Sequence, residues 1–369
     1  MMEQERKRIL KLIEEGKLSA DEADELLQAL DDAEQAKEKD ESSKAQFPST
    51  VVHEDQENQH QEKSEPSRQA STKEKIFDFI DATVEKIKKA DFDFNFGPHK
   101  QVSHIFQYQD TSVSSFEIDV ENGGIEVKSW DEKDIRVECK AKVYKADDDK
   151  QAKEKLLKEL SVDIDNGKLK VNLDAKRIKA DFRIWIPEHM YDASSIKVFN
   201  GSVNLQDMKI PNLKVKTSNG KIELKNMTGE KWEVESVNSN IRLENVKGNQ
   251  CEMETLNGSI FVDGEWEEVE SQVINGSIKG FLRGETAKSG YFKSTTGSIS
   301  LFVPADQSVD GELSSSVGNV QCYLPGHAML KSEKEVLKKS MHFQTNGHEP
   351  VLYLEAESKT GTVKVSPLD

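Results

Sequence analysis

Apolar and polar residues alternate along most of the chain from residue 98 to residue 369, with a period of two. Within this region a short phrase recurs, in which Asn and usually Gly precede an apolar, a polar and a second apolar residue. The first apolar residue of the phrase recurs at spacings of 19, 19, 19, 18, 21 and 21, at Val203, Ile222, Ile241, Ile260, Ile278, Ile299 and Val320. A nearly constant period of this length is typical of a supersecondary unit stacked on itself.

The alternation within each copy predicts two short, half-buried strands that meet at an Asn-Gly corner. A helix would need apolar residues three and four positions apart, and the copies lack that pattern. We therefore predict a mainly β protein with a parallel β-solenoid over residues 98–369, with a period near 19–21 residues. The alternative is an antiparallel meander of Asn-Gly hairpins. Same-face residues in register at a constant period favour the solenoid.

Stacking in this register places the corner asparagines of successive copies above one another, at the roughly 4.8 Å spacing of paired strands. Amides so placed can hydrogen-bond along the stack, as asparagine ladders do in cross-β assemblies. We interpret these residues as a structural ladder rather than as sequons or a ligand-binding row. The five are Asn200, Asn219, Asn238, Asn257 and Asn275.

Three other segments precede the solenoid. Residues 1–31 have the apolar spacing of a helical hairpin, and a C-cap glycine, Gly16, separates its two helices. Residues 32–70 have the composition of a disordered linker. Residues 71–97 predict an amphipathic helix and a capping strand that cover the open end of the solenoid, although a helix with a basic end could also lie on an anionic membrane. A hairpin of this size is too small to bury a stable core, so we expect it to bind a partner or self-associate. Its candidate interaction face is Ile9, Leu12, Leu26 and Leu30.

Both ends of the solenoid break the regular period. Residues 147–160 have the pattern of a helical insertion, and residues 326–349 form a polar excursion whose role the pattern does not indicate. The last aligned apolar residue, Val363, follows Val320 by 43 residues, or about two periods. We therefore expect the segment that contains Val363 to complete the solenoid domain.

Charge and targeting features narrow the choice of partners. The formal net charge is −17, from 51 basic and 68 acidic residues. Such a surface repels nucleic acid phosphates and anionic lipid and attracts cationic partners, so no nucleic acid partner is expected. The chain has no apolar signal core near its first residue and no run of 18 apolar residues. This predicts a cytoplasmic protein, with surface association or release by an unconventional route as the alternative.

Motifs for catalysis are missing from the sequence. It contains no Gly-x-Ser-x-Gly elbow, phosphate-binding glycine loop, His-Glu-x-x-His or Cys-x-x-Cys. The aligned outward positions vary from Asn204 through Glu223 and Arg242 to Phe261, so no row of carboxylates recurs. We predict no enzyme, no cofactor and no metal, and the three cysteines have no paired spacing.

The helical phrase from Ile9 to Leu30 resembles the N-terminal module of the YvlB/LiaX-type proteins of Gram-positive bacteria. The Asn-Gly-x-Ile-x-Leu copies are similar to the adhesin-like domain, of unknown function, of the same proteins. The resemblance implies a role in cell-envelope stress, with sensing of antimicrobial peptides, and it brings no catalytic residues.

We accordingly expect a non-enzymatic binding or regulatory protein of the envelope-stress and antimicrobial-peptide response. Its helical hairpin would contact a protein or cationic peptide partner, and its solenoid would be a rigid platform. One alternative is a solenoid that binds or processes cell-wall glycan, which a row of aromatics or carboxylates on one outer face would favour. Another is a cytoplasmic scaffold.

Overall fold

The computed structural model of the chain describes residues 97–284, 286–334 and 338–368. Within these residues the chain forms a parallel β-solenoid, and this confirms the predicted fold class. The predicted helical hairpin and linker, and all of the capping segment except Gly97, lie outside the described residues.

The described part of the chain contains 23 strands and one helix, α1 (Asp149–Glu159). In chain order the strands are β1 (His99–Tyr108), β2 (Ser115–Asn122), β3 (Ile125–Trp130), β4 (Ile135–Tyr144), β5 (Ser161–Asp165), β6 (Lys168–Leu173), β7 (Ile178–Pro187), β8 (Ala193–Asn200), β9 (Val203–Lys209), β10 (Asn212–Asn219), β11 (Ile222–Thr228), β12 (Lys231–Asn238), β13 (Ile241–Asn257), β14 (Ile260–Asn275), β15 (Ile278–Leu282), β16 (Ser289–Thr296), β17 (Ile299–Val303), β18 (Gln307–Val317), β19 (Val320–Cys322), β20 (Ala328–Lys334), β21 (Lys339–Gln344), β22 (His348–Thr360) and β23 (Val363–Pro367).

The strands form two parallel stacks that meet at the Asn-Gly corners. The first stack holds the strands before each corner, in the order β6, β2, β8, β10, β12, β13, β14, β16, β22, β18. The second stack holds the strands after each corner, in the order β7, β3, β9, β11, β13, β14, β15, β17, β23, β19. Strands β13 and β14 are long enough to contribute one half to each stack.

The core lies between the two stacks and is built from the inward residue of every second position. In the first stack Val215 pairs with Val234, and Val234 pairs with Met253. In the second stack Ile222 and Ile241 lie in the same register. All five of these side chains are buried, and full burial of an aliphatic side chain stabilises by roughly 1.5–3 kcal/mol. The stabilisation is therefore spread along the stack rather than concentrated at one point.

Helix α1 covers one end of the stack, at the predicted insertion. The Asp148 side chain accepts a hydrogen bond from the Gln151 backbone N–H and so caps the first turn. Ala152 and Leu156 form its buried face. No helix in the part of the chain that the structure describes is long and apolar enough to cross a membrane.

Antiparallel strands, which the repeat pattern does not predict, extend both ends of the first stack and one end of the second. At one end β4 pairs with β7 and β1 pairs with β4, while β5 pairs with β6. At the other end the excursion forms the hairpin of β20 and β21, and β21 pairs with β18. Unpaired N–H and C=O groups at a sheet edge invite pairing with other chains. The added strands pair with the edges of β6, β7 and β18, whereas β19 has no such partner among the described strands.

The end coils do not follow chain order. Val363 pairs with Ile299 on one side and with Val320 on the other, so β23 lies between β17 and β19. One edge of β18 pairs with β21, so β22 pairs with the other edge of β18. Strand β22 thereby lies between β18 and β16. The coil order is exchanged at the opposite end as well. There β2 lies between β6 and β8, and β3 lies between β7 and β9.

Candidate functional site

The predicted corner asparagines lie in one continuous row. Asn219 donates its amide N–H to Asn200 Oδ1 at 2.8 Å, and Asn238 donates to Asn219 at 3.1 Å. Asn257 donates to Asn238, and Asn275 donates to Asn257, both at 2.9 Å. Each interior amide donates to one neighbour and accepts from the other, so the row connects successive coils.

A sixth residue belongs to this row, and it was not among the predicted five. Asn200 donates to Asn122 Oδ1 at 2.9 Å, because β2 pairs directly with β8. The phrase that begins at Asn122 has the Asn-Gly pattern, but its place beside Asn200 depends on the exchanged coil order. We call the six residues the asparagine ladder: Asn122, Asn200, Asn219, Asn238, Asn257 and Asn275.

A second row of side chains occupies another corner of the same coils. Asn245 donates to Asn226 at 2.8 Å, and Asn226 donates to Asp207 at 2.9 Å. All three have positive φ, between 52° and 58°, a conformation that Asn and Asp tolerate better than most residues. In β14 this residue is missing, since Glu244 pairs with Asp263 and Val246 with Gly264. This one-residue difference accounts for the change of period from 19 to 18.

Glycine at the ladder corner is required by close approach of the backbone. A Cβ at Gly220, whose φ is +138°, would lie 2.3 Å from the carbonyl oxygen of Gly201 in the adjacent coil. The corners therefore have no room for a ligand between coils. We interpret both side-chain rows as structural.

The outer surface of the first stack carries a dense group of glutamates. On β12, β13 and β14, Glu233 pairs with Glu252 and Glu252 pairs with Glu270. We call this group the acidic face: Glu233, Glu235, Glu252, Glu254, Glu268 and Glu270. At one border, Lys214 lies 2.6 Å from Glu233 and Lys216 forms an ion pair with Glu235.

Glu235 in the acidic face is buried, although its backbone position points outward. Burial, together with its hydrogen bond to the neighbouring Glu233, raises the pKa of Glu235 to about 7. Burial also opposes ionisation of Glu233, but hydrogen bonds with Glu235 and Lys214 outweigh it and lower the pKa of Glu233. The two carboxyl groups thus share protons as a pair, and near neutral pH one of them is partly protonated.

The outer surface of the second stack is different in chemistry, with aromatic and basic side chains. The ring centroids of Phe261 and Phe281 lie 5.7 Å apart, and those of Phe281 and Phe302 lie 4.5 Å apart with nearly parallel planes. The Arg242 guanidinium lies 4.0 Å from the Phe261 centroid, and Lys279 Nζ lies 5.0 Å from that of Phe281. These ring faces pack against one another and against cations, so the row stabilises the stack.

A concave site lies further along the same outer surface, on β3 and β7. We call it the Trp185 pocket; its volume is about 280 Å³ and it is lined by Glu126, Lys128, Arg183, Ile184 and Trp185. Lys128 Nζ lies 2.7 Å from Glu126 Oε1, and Arg183 Nε lies 3.3 Å from Glu126 Oε2. The hydrogen bond from Lys128, assisted by the charge of Arg183, lowers the pKa of Glu126, so this carboxylate is ionised at neutral pH.

Sequence reasoning did not find the Trp185 pocket. The aligned outward positions of the regular copies include Phe261, but Trp185 and Arg183 belong to a strand before those copies. Lys128 and Glu126 face them only because β3 pairs with β7. The predicted interaction face of Ile9, Leu12, Leu26 and Leu30 lies outside the described residues and stays a prediction.

The remaining candidate groups have structural partners. His342 Nε2 lies 2.6 Å from Asp310 Oδ1, and His327 Nδ1 lies 2.8 Å from the Leu324 carbonyl. Cys251 is buried against Trp232, and burial raises the pKa of its thiol. Across the described ranges no group of three or more His, Cys, Asp or Glu is placed to hold a metal ion.

Comparison with known proteins places this architecture in a family. The Toastrack DUF4097 family model matches residues 113–366, and the SHOCT-like domain model matches residues 4–35. The uncharacterised protein YvlB of Bacillus subtilis (strain 168) is 41% identical over 365 residues, which cover 99% of each chain.

Crystal structures of two bacterial proteins superpose on part of the chain. One, provisionally assigned as a lipid binding protein, is from Parabacteroides distasonis ATCC 8503. It has 14% identity and a TM-score of 0.35 over 72% of this chain and 97% of its own. The other, provisionally assigned as an adhesin, is from Bacteroides fragilis NCTC 9343. It has 13% identity and a TM-score of 0.31 over 72% of this chain and 97% of its own. At these TM-scores the superpositions carry no conclusion about function. The family match and the full-length relative do establish kinship: the chain belongs to the Toastrack DUF4097 family and is a relative of YvlB throughout its length.

Proposed function

We propose that this protein is a non-enzymatic binding and regulatory protein of the bacterial cell-envelope stress and antimicrobial-peptide response. The observation that supports this function best is the acidic face, where three successive coils present glutamates in register on one surface. The resemblance of both sequence modules to envelope-stress proteins supports the biological setting. The ligand expected for this surface is a cationic amphipathic peptide.

The solenoid contributes rigidity and charge to such binding. Opposed charges raise the rate of encounter and select the partner, whereas affinity needs apolar contact. The apolar contact would come from the predicted hairpin face of Ile9, Leu12, Leu26 and Leu30, which suits the groove-binding mode of amphipathic helices.

Calorimetric titration of a synthetic amphipathic peptide of Lys, Leu and Ala into the full-length protein tests this function. The double variant Glu252→Gln/Glu270→Gln removes two charges from the acidic face. Its control, Glu223→Gln/Glu244→Gln, removes two charges from the outer surface of the second stack. We expect the first variant to bind about tenfold more weakly at physiological salt and the control to bind like the wild type.

A chain that lacks residues 1–68 gives the second arm of this experiment. We expect it to lose most of the affinity, since the apolar face of the hairpin is then missing. Charge attraction alone weakens steeply with salt. Binding that vanishes at physiological salt, or that is identical in both charge variants, would contradict the proposed function.

The glycan-binding alternative also has an observation in its favour. Aromatic side chains on one outer face were its expected mark, and Phe261, Phe281 and Phe302 lie on the outer surface of the second stack. Their ring faces are already stacked within the row, however, so the row itself offers little surface for a sugar.

A further inference from the structure

The Trp185 pocket brings two basic side chains to one carboxylate at the surface. Lys128 and Arg183 contact the two different oxygens of Glu126, at 2.7 Å and 3.3 Å. The side chains of Lys128 and Arg183 remain 41% and 57% exposed, so each keeps N–H donors that face solvent. Each oxygen of a carboxylate can accept two hydrogen bonds.

The indole of Trp185 forms the apolar wall of the same pocket. Trp185 pairs with Lys128 on one side and with Arg136 on the other. The Arg136 guanidinium carbon lies 5.8 Å from the ring, and the Trp130 ring centroid lies 6.1 Å away. The indole is thus fixed on a central strand and surrounded by basic groups and a second aromatic ring.

We propose that the Trp185 pocket binds a single sugar ring that carries a carboxylate, with the ring against Trp185 and the carboxylate at Lys128 and Arg183. The inference goes beyond the peptide function proposed above, because it uses a different surface of the solenoid and a ligand of opposite charge.

Size and charge both select this ligand. A volume of about 280 Å³ lies just below the roughly 300–1,000 Å³ that is usual for ligand pockets, which suits a ligand as small as one sugar ring. Lys128 and Arg183 already hold a carboxylate, so their spacing fits that group, and the Arg183 fork matches its geometry. The negative net charge of the chain does not prevent binding, because charges beyond about 8 Å are screened at physiological salt.

Glu126 has a specific part in this site, as an internal competitor. Its carboxylate occupies the two cations that the ligand carboxylate would meet. Removing this charge while keeping the side-chain shape should therefore increase affinity for an anionic sugar, a direction opposite to that expected for most changes at a binding site.

Saturation-transfer difference NMR with full-length protein tests the proposal, with galacturonic acid as the probe and its methyl ester as the uncharged match. Glucose 6-phosphate distinguishes a carboxylate site from a general anion site. We expect galacturonic acid to bind in the millimolar range, the ester at least fivefold more weakly, and the sugar phosphate more weakly than galacturonic acid.

Variants of the pocket provide the second arm of the experiment. We expect Arg183→Gln to weaken galacturonic acid binding about tenfold, as the loss of one charge-assisted hydrogen bond predicts. Trp185→Ala should abolish it, and Glu126→Gln should strengthen it severalfold. The control is Lys225→Gln, which removes an exposed cation from the outer surface of the same stack, two strands away from Lys128, and it should bind like the wild type.

Three results with galacturonic acid and its ester would overturn the proposal. They are the absence of galacturonic acid binding, equal binding of the acid and its ester, and equal binding of the wild type and Arg183→Gln. Tighter binding of the sugar phosphate would also contradict the carboxylate assignment. If Trp185→Ala fails to fold, the surface variants Arg183→Gln and Glu126→Gln still decide the question.

Discussion

At the scale of single residues, the asparagine ladder links the coils through side chains rather than backbone. An interior member makes two hydrogen bonds through its side-chain amide, one to each neighbouring coil, whereas an end member makes one. Asn238 donates to Asn219 and accepts from Asn257. Asn275 donates to Asn257, and the position above it is Thr296.

We therefore expect Asn238→Ala to destabilise the protein more than Asn275→Ala. Each side-chain hydrogen bond that is lost costs roughly 1 kcal/mol, so the free energies of unfolding of the two variants should differ by about that amount. Urea denaturation measures it, with Asn275→Ala as the matched control. Equal midpoints for both variants and the wild type would contradict a stabilising role for the ladder.

The buried Glu235 predicts a pH dependence of stability. Its pKa of about 7 in the folded state lies above the ordinary value of 4.5. The folded state therefore holds this proton more tightly than the unfolded state, and stability falls as pH rises through 7. We expect Glu235→Gln to stabilise the protein at pH 8–9 by on the order of 2 kcal/mol relative to the wild type, with little effect at pH 5.

Denaturation of both proteins at several pH values measures this difference. The control is Glu230→Gln, which changes an exposed glutamate at a corner of the same coil. A constant difference between Glu235→Gln and the wild type across the pH range would show that Glu235 does not titrate with folding.

At the scale of elements, β9, β11 and β13 each contain a one-residue bulge. The bulge lengthens the strand without changing which of its side chains point into the core. Leu243 and Val246 both point inward although two residues lie between them, because Asn245 occupies the bulge. In β14 the equivalent inward residues are Val262 and Gly264, with one residue between them. Both arrangements therefore fit the same core.

We expect deletion of Asn245 to leave a folded protein, because it converts this stretch of β13 into the pattern of β14. The cost should be about 1 kcal/mol for the lost hydrogen bond to Asn226. Deletion of Arg242 is the control, because it places Ile241 and Leu243 side by side and turns one of them to the solvent. Circular dichroism and thermal melting compare them. Equal loss of the cooperative melt in both deletions would contradict this account of the bulge.

At the scale of the whole molecule, the exchanged end coils determine which strands are most protected. Strand β23 is the last in the chain, yet it has β17 on one side and β19 on the other. Strand β19 pairs with β23 alone among the described strands.

Amide hydrogen exchange should therefore be slower at Val363 and Val365 of β23 than at Val320 and Cys322 of β19, by about tenfold or more. Terminal strands ordinarily exchange fast because they fray, so this order is unusual. Ile260 and Val262, in the interior of the same stack, serve as the reference for full protection. Equal exchange in β23 and β19 would mean that the end coil opens independently.

The pattern of the sequence predicts the parallel solenoid and the register of its regular coils, since the spacing of Val215, Val234 and Met253 by itself indicates the stacking. It does not predict the order of the end coils, because that order depends on which edge a returning segment finds free. The Trp185 pocket follows from that order: Arg183 lies 57 residues after Glu126, and only the pairing of β3 with β7 brings them together.

The exchanged coil at the C-terminal end also bears on synthesis. While the ribosome is still making the last residues, β18 and β19 have no neighbour on the side that β22 and β23 will fill, and β16 and β17 have an open edge facing the same gap. A chain that stops before His348 thus loses contact between two finished parts of the stack and exposes two sets of strand edges at once. Such truncated products should aggregate far more readily than chains of other solenoids shortened by one terminal coil, in which a single edge is uncovered.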